Sequence, residues 1–388
     1  MNGEMPMFLT DHDMSRLIGF RHELHRFPEV SGEEGQTAAR VQAFVAPMDP
    51  DRVLTGLGGH GVAAVFEGAR PGPTILIRSE LDALPIEELT EVPYRSTVPG
   101  RGHLCGHDGH STILAAVGLG LSRQRPARGR VVLLFQPAEE NGAGAAAVIA
   151  DPRFTEIAPD ISFSLHNMPG MPLGQVALVE GVVNCASRGM RIVLTGRTAH
   201  ASMPHQGNSP MQAMAALMPA LAELAAGAPP DPDFSLVTVT HARLGEAAFG
   251  IAPGHGEIWA TLRTLTDDRM GRLCAMAEAL VQRVASEAGL ALSITYDDVF
   301  LHCENAPDAV AHLKRALDAE GIMHDAGDLP MRGSEDFGRF GKHAPAAMFF
   351  LGAGEGVASL HNPDYDFPDA LIPIGARVFM RVVSDILG

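Results

Sequence analysis

Leu17, Phe20, Leu24 and Phe27 recur at helical spacing near the start of the chain, and Pro28 follows them. One apolar stripe on a 3.6-residue repeat, stopped by proline, predicts an amphipathic helix. Ser31 and Glu34 stand at the spacing of a capping box, so a second helix is expected to carry Ala38, Val41 and Val45. The pattern then changes to short apolar runs at 61–66, 74–78, 131–135 and 161–165, with helical stretches near 109–123 and 142–150. Strand-like runs alternating with helices predict an α/β layer around a largely buried sheet.

From about residue 188 the rhythm shifts. A strand at 190–195, an Ala/Met-rich helix near 209–226, strands at 235–241 and 257–264, a helix near 267–288 and a strand at 290–296 follow in turn. The order β-α-β-β-α-β is that of a ferredoxin-like module. The α/β pattern resumes with a helix near 307–320, a strand at 346–351 and a helix near 369–387. The expected architecture is a mixed, largely parallel sheet flanked by helices, formed by 1–187 and 299–388. A ferredoxin-like α+β domain, 188–298, is inserted into it.

Composition narrows the function classes. The 388 residues are 46% hydrophobic, too apolar for a disordered chain. With 29 Lys+Arg against 46 Asp+Glu, the formal net charge is −17. No basic run offers the cationic face a nucleic-acid partner needs. The start of the chain lacks a leader pattern, and no apolar stretch approaches the ~20 residues of a membrane helix. The four cysteines show no paired spacing. A soluble, cytoplasmic protein without nucleic-acid or membrane partners is expected. The 17 histidines are worth tracing, because neutral imidazole is the commonest metal ligand.

Two motifs do not carry the chemistry their letters suggest. Gly56-Leu57-Gly58-Gly59-His60-Gly61 matches G-x-G-x-x-G, but a strand-like run follows where a dinucleotide site needs a helix. A hairpin turn is the better reading. His22-Glu23-Leu24-His25 lacks the spacing of a zinc-protease helix, and its histidines read as surface or satisfied core residues. The segment His103-Leu104-Cys105-Gly106-His107-Asp108-Gly109-His110 is different. Thiolate and imidazole in a tight glycine loop suit zinc or a similar ion. Asp108 there reads as a helix cap. Three strand-like runs also end in coordinating side chains, at Glu80-Leu81-Asp82, Glu139-Glu140 and His166-Asn167, and His361 follows a fourth. Ligands bind outside the carboxyl ends of such strands. Of two adjacent glutamates, one can hold a metal while the other moves the proton of a metal-activated water.

These segments resemble the aminoacylase/carboxypeptidase family of dinuclear metallohydrolases, in the branch of hippurate hydrolase and the indole-acetyl-amino-acid hydrolases. The matching stretches are 22–34, 81–86, 103–110, 135–140, 164–174, 196–205, 333–338 and 360–363, in the family's order. The resemblance implies a phosphorylase/hydrolase-like catalytic domain. Cys105, His107, Glu140, His166 and His361 would ligate two divalent ions (Zn, Mn, Ni or Co), with Cys105 bridging. Glu139 would be the general base and acid, Asp82 would orient a ligand, and His200 would bind the oxyanion from the inserted domain acting as a lid. Arg263 and Asn167 would meet the substrate. The chain departs from the family pattern at Glu80, where an aspartate is usual, and at Gly250, where an asparagine is usual.

The expected function is hydrolysis of the amide bond of an N-acylated small molecule, such as an N-acyl amino acid. The alternatives are a dipeptidase or carboxypeptidase on the same site, or a binding protein of the same fold without the chemistry. Lid motion, and a homodimer or homotetramer built through the inserted domain, complete the expectations.

Overall fold

The computed structural model describes residues 8–388. Residues 1–7, part of the main-domain range and of the stretch read for a leader, lie outside it. The described residues fold as two compact units.

The first unit holds the chain up to Val183, Glu304–Leu329 and Asp336–Gly388. Its sheet has eight strands in the order Arg52–Leu57, Gly61–Glu67, Arg130–Gln136, Thr74–Glu80, Ile161–Pro169, Ala346–Gly354, Val176–Ala177 and His324–Asp325. The four central strands, from Arg130–Gln136 to Ala346–Gly354, are mutually parallel, while Gly61–Glu67 pairs antiparallel. The α/β expectation therefore holds, with a parallel centre and an antiparallel margin. Strand Thr74–Glu80 is buried at all seven positions, as a strand covered on both faces must be. Helix His107–Arg123 is buried from His107 to Leu121 and packs against helices Asp11–Arg26 and Leu371–Leu387. The Gly56–Gly61 motif is a hairpin turn between two antiparallel strands, with positive φ at Gly56, Gly58 and Gly59.

The capping box forms elsewhere than expected. Thr10 and Asp13 make one at the first helix. At the second helix, Gly35–Val45, Ser31 and Glu34 make none. Their side chains are drawn to loops at the strand ends. Ser31 Oγ donates to Asp82 Oδ2 at 2.7 Å, and Glu34 Oε1 accepts from the Ala138 N–H at 2.8 Å.

The second unit comprises Asn184–Cys303 and Pro330–Glu335. Its antiparallel sheet runs Ser235–Leu244, His255–Thr264, Ala186–Thr195, Ala291–Phe300. Helices Met211–Ala222 and Asp267–Glu287 bury its apolar face in a core of its own, around Ile192, Leu217, Ile258 and Leu273. This is the β-α-β-β-α-β order read from the pattern. The unit is wider than 188–298. Segment Pro330–Glu335 has no periodicity to reveal it, yet Arg263 Nη1 donates to Arg332 O at 3.0 Å and Ser334 Oγ at 2.8 Å. Among the described residues, no helix is long and apolar enough to cross a membrane.

Candidate metal centre

The parallel strands bring their carboxyl ends to one side of the sheet, and the acids and imidazoles are carried there. Asp82 follows strand Thr74–Glu80, Glu139 and Glu140 follow Arg130–Gln136, and His166 lies within Ile161–Pro169. Gly106 supplies the tight turn into helix His107–Arg123. Its φ is +94°, and an added Cβ would overlap the Asn167 side chain. A side chain at this position is therefore excluded twice, by backbone and by space.

Among the described residues, the five expected ligands fall into two overlapping triads. Cys105, His107 and His166 offer ligand atoms within 4.8 Å of one another, and so do Cys105, Glu140 and His361. Cys105 Sγ lies 3.4 Å from His166 Nε2, and His361 Nε2 lies 3.7 Å from Glu140 Oε2. His107 Nε2 is 3.9 Å from Glu140 Oε1. Atoms about 2.0–2.3 Å from a tetrahedral ion stand about 3.3–3.8 Å apart, so the spacing fits two ions sharing one sulfur. The tautomers agree. His107 Nδ1 donates to Asp82 O at 2.9 Å and His166 Nδ1 to Asn167 O at 2.8 Å, which leaves each Nε2 as a lone pair facing the cluster. His107 Nε2 and Asp82 Oδ1 are buried with no hydrogen-bond partner.

The electrostatics point the same way. Burial, reinforced by Glu140 and Glu139, pushes the Cys105 thiol well up, so a thiolate here requires a cation. Burial and the neighbouring His110 and His107 push His166 down to about 3. Burial and His107 also lower His361, so both rings are neutral donors. His107 runs against its burial. The nearby Asp82 carboxylate and the charges of Glu80 and Glu140 hold it up to about 10. Without a metal, its proton is the positive charge this acidic cluster attracts.

The remaining expected residues divide. Glu139 is buried within reach of His107 and Glu140, and its Oε1 accepts a long 3.4 Å bond from the Asp336 N–H. Asp82 Oδ1 lies 3.5 Å from His107 Nδ1, while Oδ2 accepts from Ser31 and from the Glu140 N–H at 2.9 Å. Asn167 is a correction. It is fully buried, its Oδ1 lies 2.5 Å from His110 Nε2, and its Nδ2 donates to the Tyr365 hydroxyl, so both ends of its side chain are engaged inside the protein. Asp108 is another. The N-cap is Gly106, and the Asp108 carboxylate faces Arg21 and His25 instead. His200 and Arg263 belong to the second unit. His200 is exposed on a short ladder with Ile251, and its Nδ1 accepts from the Ser202 N–H, so the neutral ring carries its proton at Nε2.

Other supporting residues stood in quoted segments without a role. Glu80 pairs with Arg78 and accepts from His110 Nδ1 at 2.7 Å. Arg78 and Gln136 both reach Asp336, from the segment 333–338. The signal available was charge within otherwise apolar strands, since Arg78 and Glu80 are completely buried.

Comparison with known proteins gives a consistent result. Residues 76–385 match the family described as peptidase family M20/M25/M40. An N-acetyl-L-cysteine deacetylase of Bacillus subtilis is 30% identical over 370 residues, covering 94% of this chain and 86% of that one. An N-acetyldiaminopimelate deacetylase of Exiguobacterium sibiricum is 31% identical over 363 residues, covering 93% and 96%. A solved dinuclear metal-binding peptidase from Bacillus subtilis superposes with a TM-score of 0.80 over 96% of this chain and 98% of that one, at 24% identity. That last likeness is one of fold.

Proposed function

The chain belongs to peptidase family M20/M25/M40, and from that membership we propose that this metal-dependent amidohydrolase cleaves an N-acyl amino acid or a closely related N-acylated small molecule. The observation that carries the reading is the pair of triads sharing Cys105, with Glu139 beside His107 and Glu140. Deacetylase relatives of similar length support the substrate class.

Cys105, His107 and His166 would hold one ion, and Cys105, Glu140 and His361 the other, drawn from Zn, Mn, Ni or Co. When bound, these ions supply Lewis acidity, polarising the amide carbonyl and making water acidic enough to deprotonate near neutral pH. Glu139 accepts that water's proton and returns it to the departing nitrogen. Asp82 and its own backbone carbonyl fix the His107 ring. His200 would donate from Nε2 to the developing oxyanion, and the uncommitted donors of Arg263 would meet a substrate carboxylate. Cytoplasmic location and a homodimer or homotetramer belong to the same reading, and light scattering tests the assembly.

Glu139→Ala tests the role directly. Metal content is expected to be unchanged while amide hydrolysis falls about 10²–10⁴-fold. Hydrolysis at the wild-type rate would remove Glu139 from the mechanism. A dipeptidase on the same centre is the second reading, favoured by Gly250, which brings no side chain beside His200. Parallel panels of N-acyl amino acids and dipeptides separate the two.

A further inference from the structure

Helix Asp11–Arg26 carries the His22–His25 motif, which supplies no ligand to the metal centre. Its buried face nonetheless meets the residue next to a ligand. His25 is fully buried, with Nδ1 2.9 Å from Asp108 Oδ2 and Nε2 3.1 Å from Glu88 Oε1. An ionised carboxylate only accepts hydrogen bonds, so both ring nitrogens donate and the ring is an imidazolium. Arg21, one turn earlier, reaches the same Asp108 Oδ2 at 3.2 Å, Asp366 Oδ1 at 2.7 Å and Asp369 Oδ1 at 2.6 Å. Asp108 directly follows His107, in the first turn of helix His107–Arg123.

We infer that Arg21 and His25 are positioning residues, which grip Asp108 from behind the loop and thereby set the angle at which Cys105 and His107 present their ligand atoms. A carboxylate in the first turn of a helix is already stabilised by the helix dipole and needs no second helix to hold it. Two buried cations converging on one carboxylate fix its position as well as its charge. The loop they steady must bring Sγ and Nε2 into one small cluster, and a 103–107 backbone free to rotate about Gly106 would lose that register.

The inference rests on the metal-centre reading, and zinc titration against a competing chelator separates the two. If the wild-type protein binds no zinc, that reading fails and takes the inference with it. If it binds two ions, His25→Gln is decisive, with circular dichroism confirming the fold. A glutamine has one donating and one accepting end, so its oxygen would face a carboxylate. Zinc affinity is expected to fall about 10–100-fold, the effect of losing a partner behind a ligand. Adding Glu88→Gln should restore affinity to within about threefold, because an amide can then donate to that oxygen. Unchanged affinity in the single variant, or no recovery in the double, overturns the inference. Should His25→Gln not fold, Arg21→Lys carries the same test. It keeps the charge but loses the fork that spans three carboxylates, so weaker zinc binding is expected and wild-type affinity would refute it.

Discussion

Removing the Cys105 sulfur takes a donor from both triads, whereas removing the His361 ring takes one from a single triad. Cys105→Ala is therefore expected to retain less than one ion per chain after dialysis, and His361→Ala about one, by elemental analysis. Gly250 allows a test of gain instead of loss. A Cβ there meets nothing within 4 Å, so Gly250→Asn fits without strain. It should lower KM for N-acyl amino acids more than for amides lacking a carboxylate, read from initial rates on matched substrate pairs. The proposed ligands stood out in the sequence because a Cys/His loop and acids at strand ends are chemically conspicuous, and the structure brings these side chains together. Asn167 was misjudged for a reason also present in the chain. Successive strand residues point to opposite faces, so standing next to His166 argues against sharing its direction.

Helix Asp11–Arg26 shows how an element can be found from its pattern while its task stays hidden. Its apolar stripe marks a helix, but the charges on its buried face have no periodicity that names a partner more than eighty residues away. Those charges carry a pH signature. Burial opposes protonation of His25, and so does Arg21, but Asp108 and Glu88 outweigh both and raise it to about 9 from an ordinary 6.5. A raised pKa contributes stability in full below about pH 6.5 and loses it as pH climbs toward 9. The urea midpoint of the metal-free protein should fall across that window, and His25→Gln should flatten the fall. Strand Arg52–Leu57 was missed because it is half exposed and offers no apolar run. The long central strands were found because burial on both faces gives each a short, mostly apolar run.

At the scale of the whole molecule, two cores divide the chain, and every proposed ligand belongs to the first unit. The chain's single tryptophan, Trp259, belongs to the second. Its fluorescence can therefore follow one unit while circular dichroism follows both. Chelation is expected to lower the dichroism transition and leave the Trp259 transition in place. Coincident shifts would mean that the two cores melt as one. A change of rhythm near residue 188 marked the insertion, but nothing marked the return of Pro330–Glu335, because six residues outside any helix or strand leave no periodic pattern. The position of His361 has a consequence for biosynthesis. Cys105, His107, Glu140 and His166 are all made before the main stretch of the second unit, Asn184–Cys303, and His361 only after it. At about 5–20 residues per second, the nascent chain spends on the order of 10 s or more with one triad complete and the other lacking its last donor. In that interval only the Cys105, His107 and His166 triad has all its donors, while Cys105 and Glu140 still wait for His361, so the two ions of the finished centre would enter in a set order.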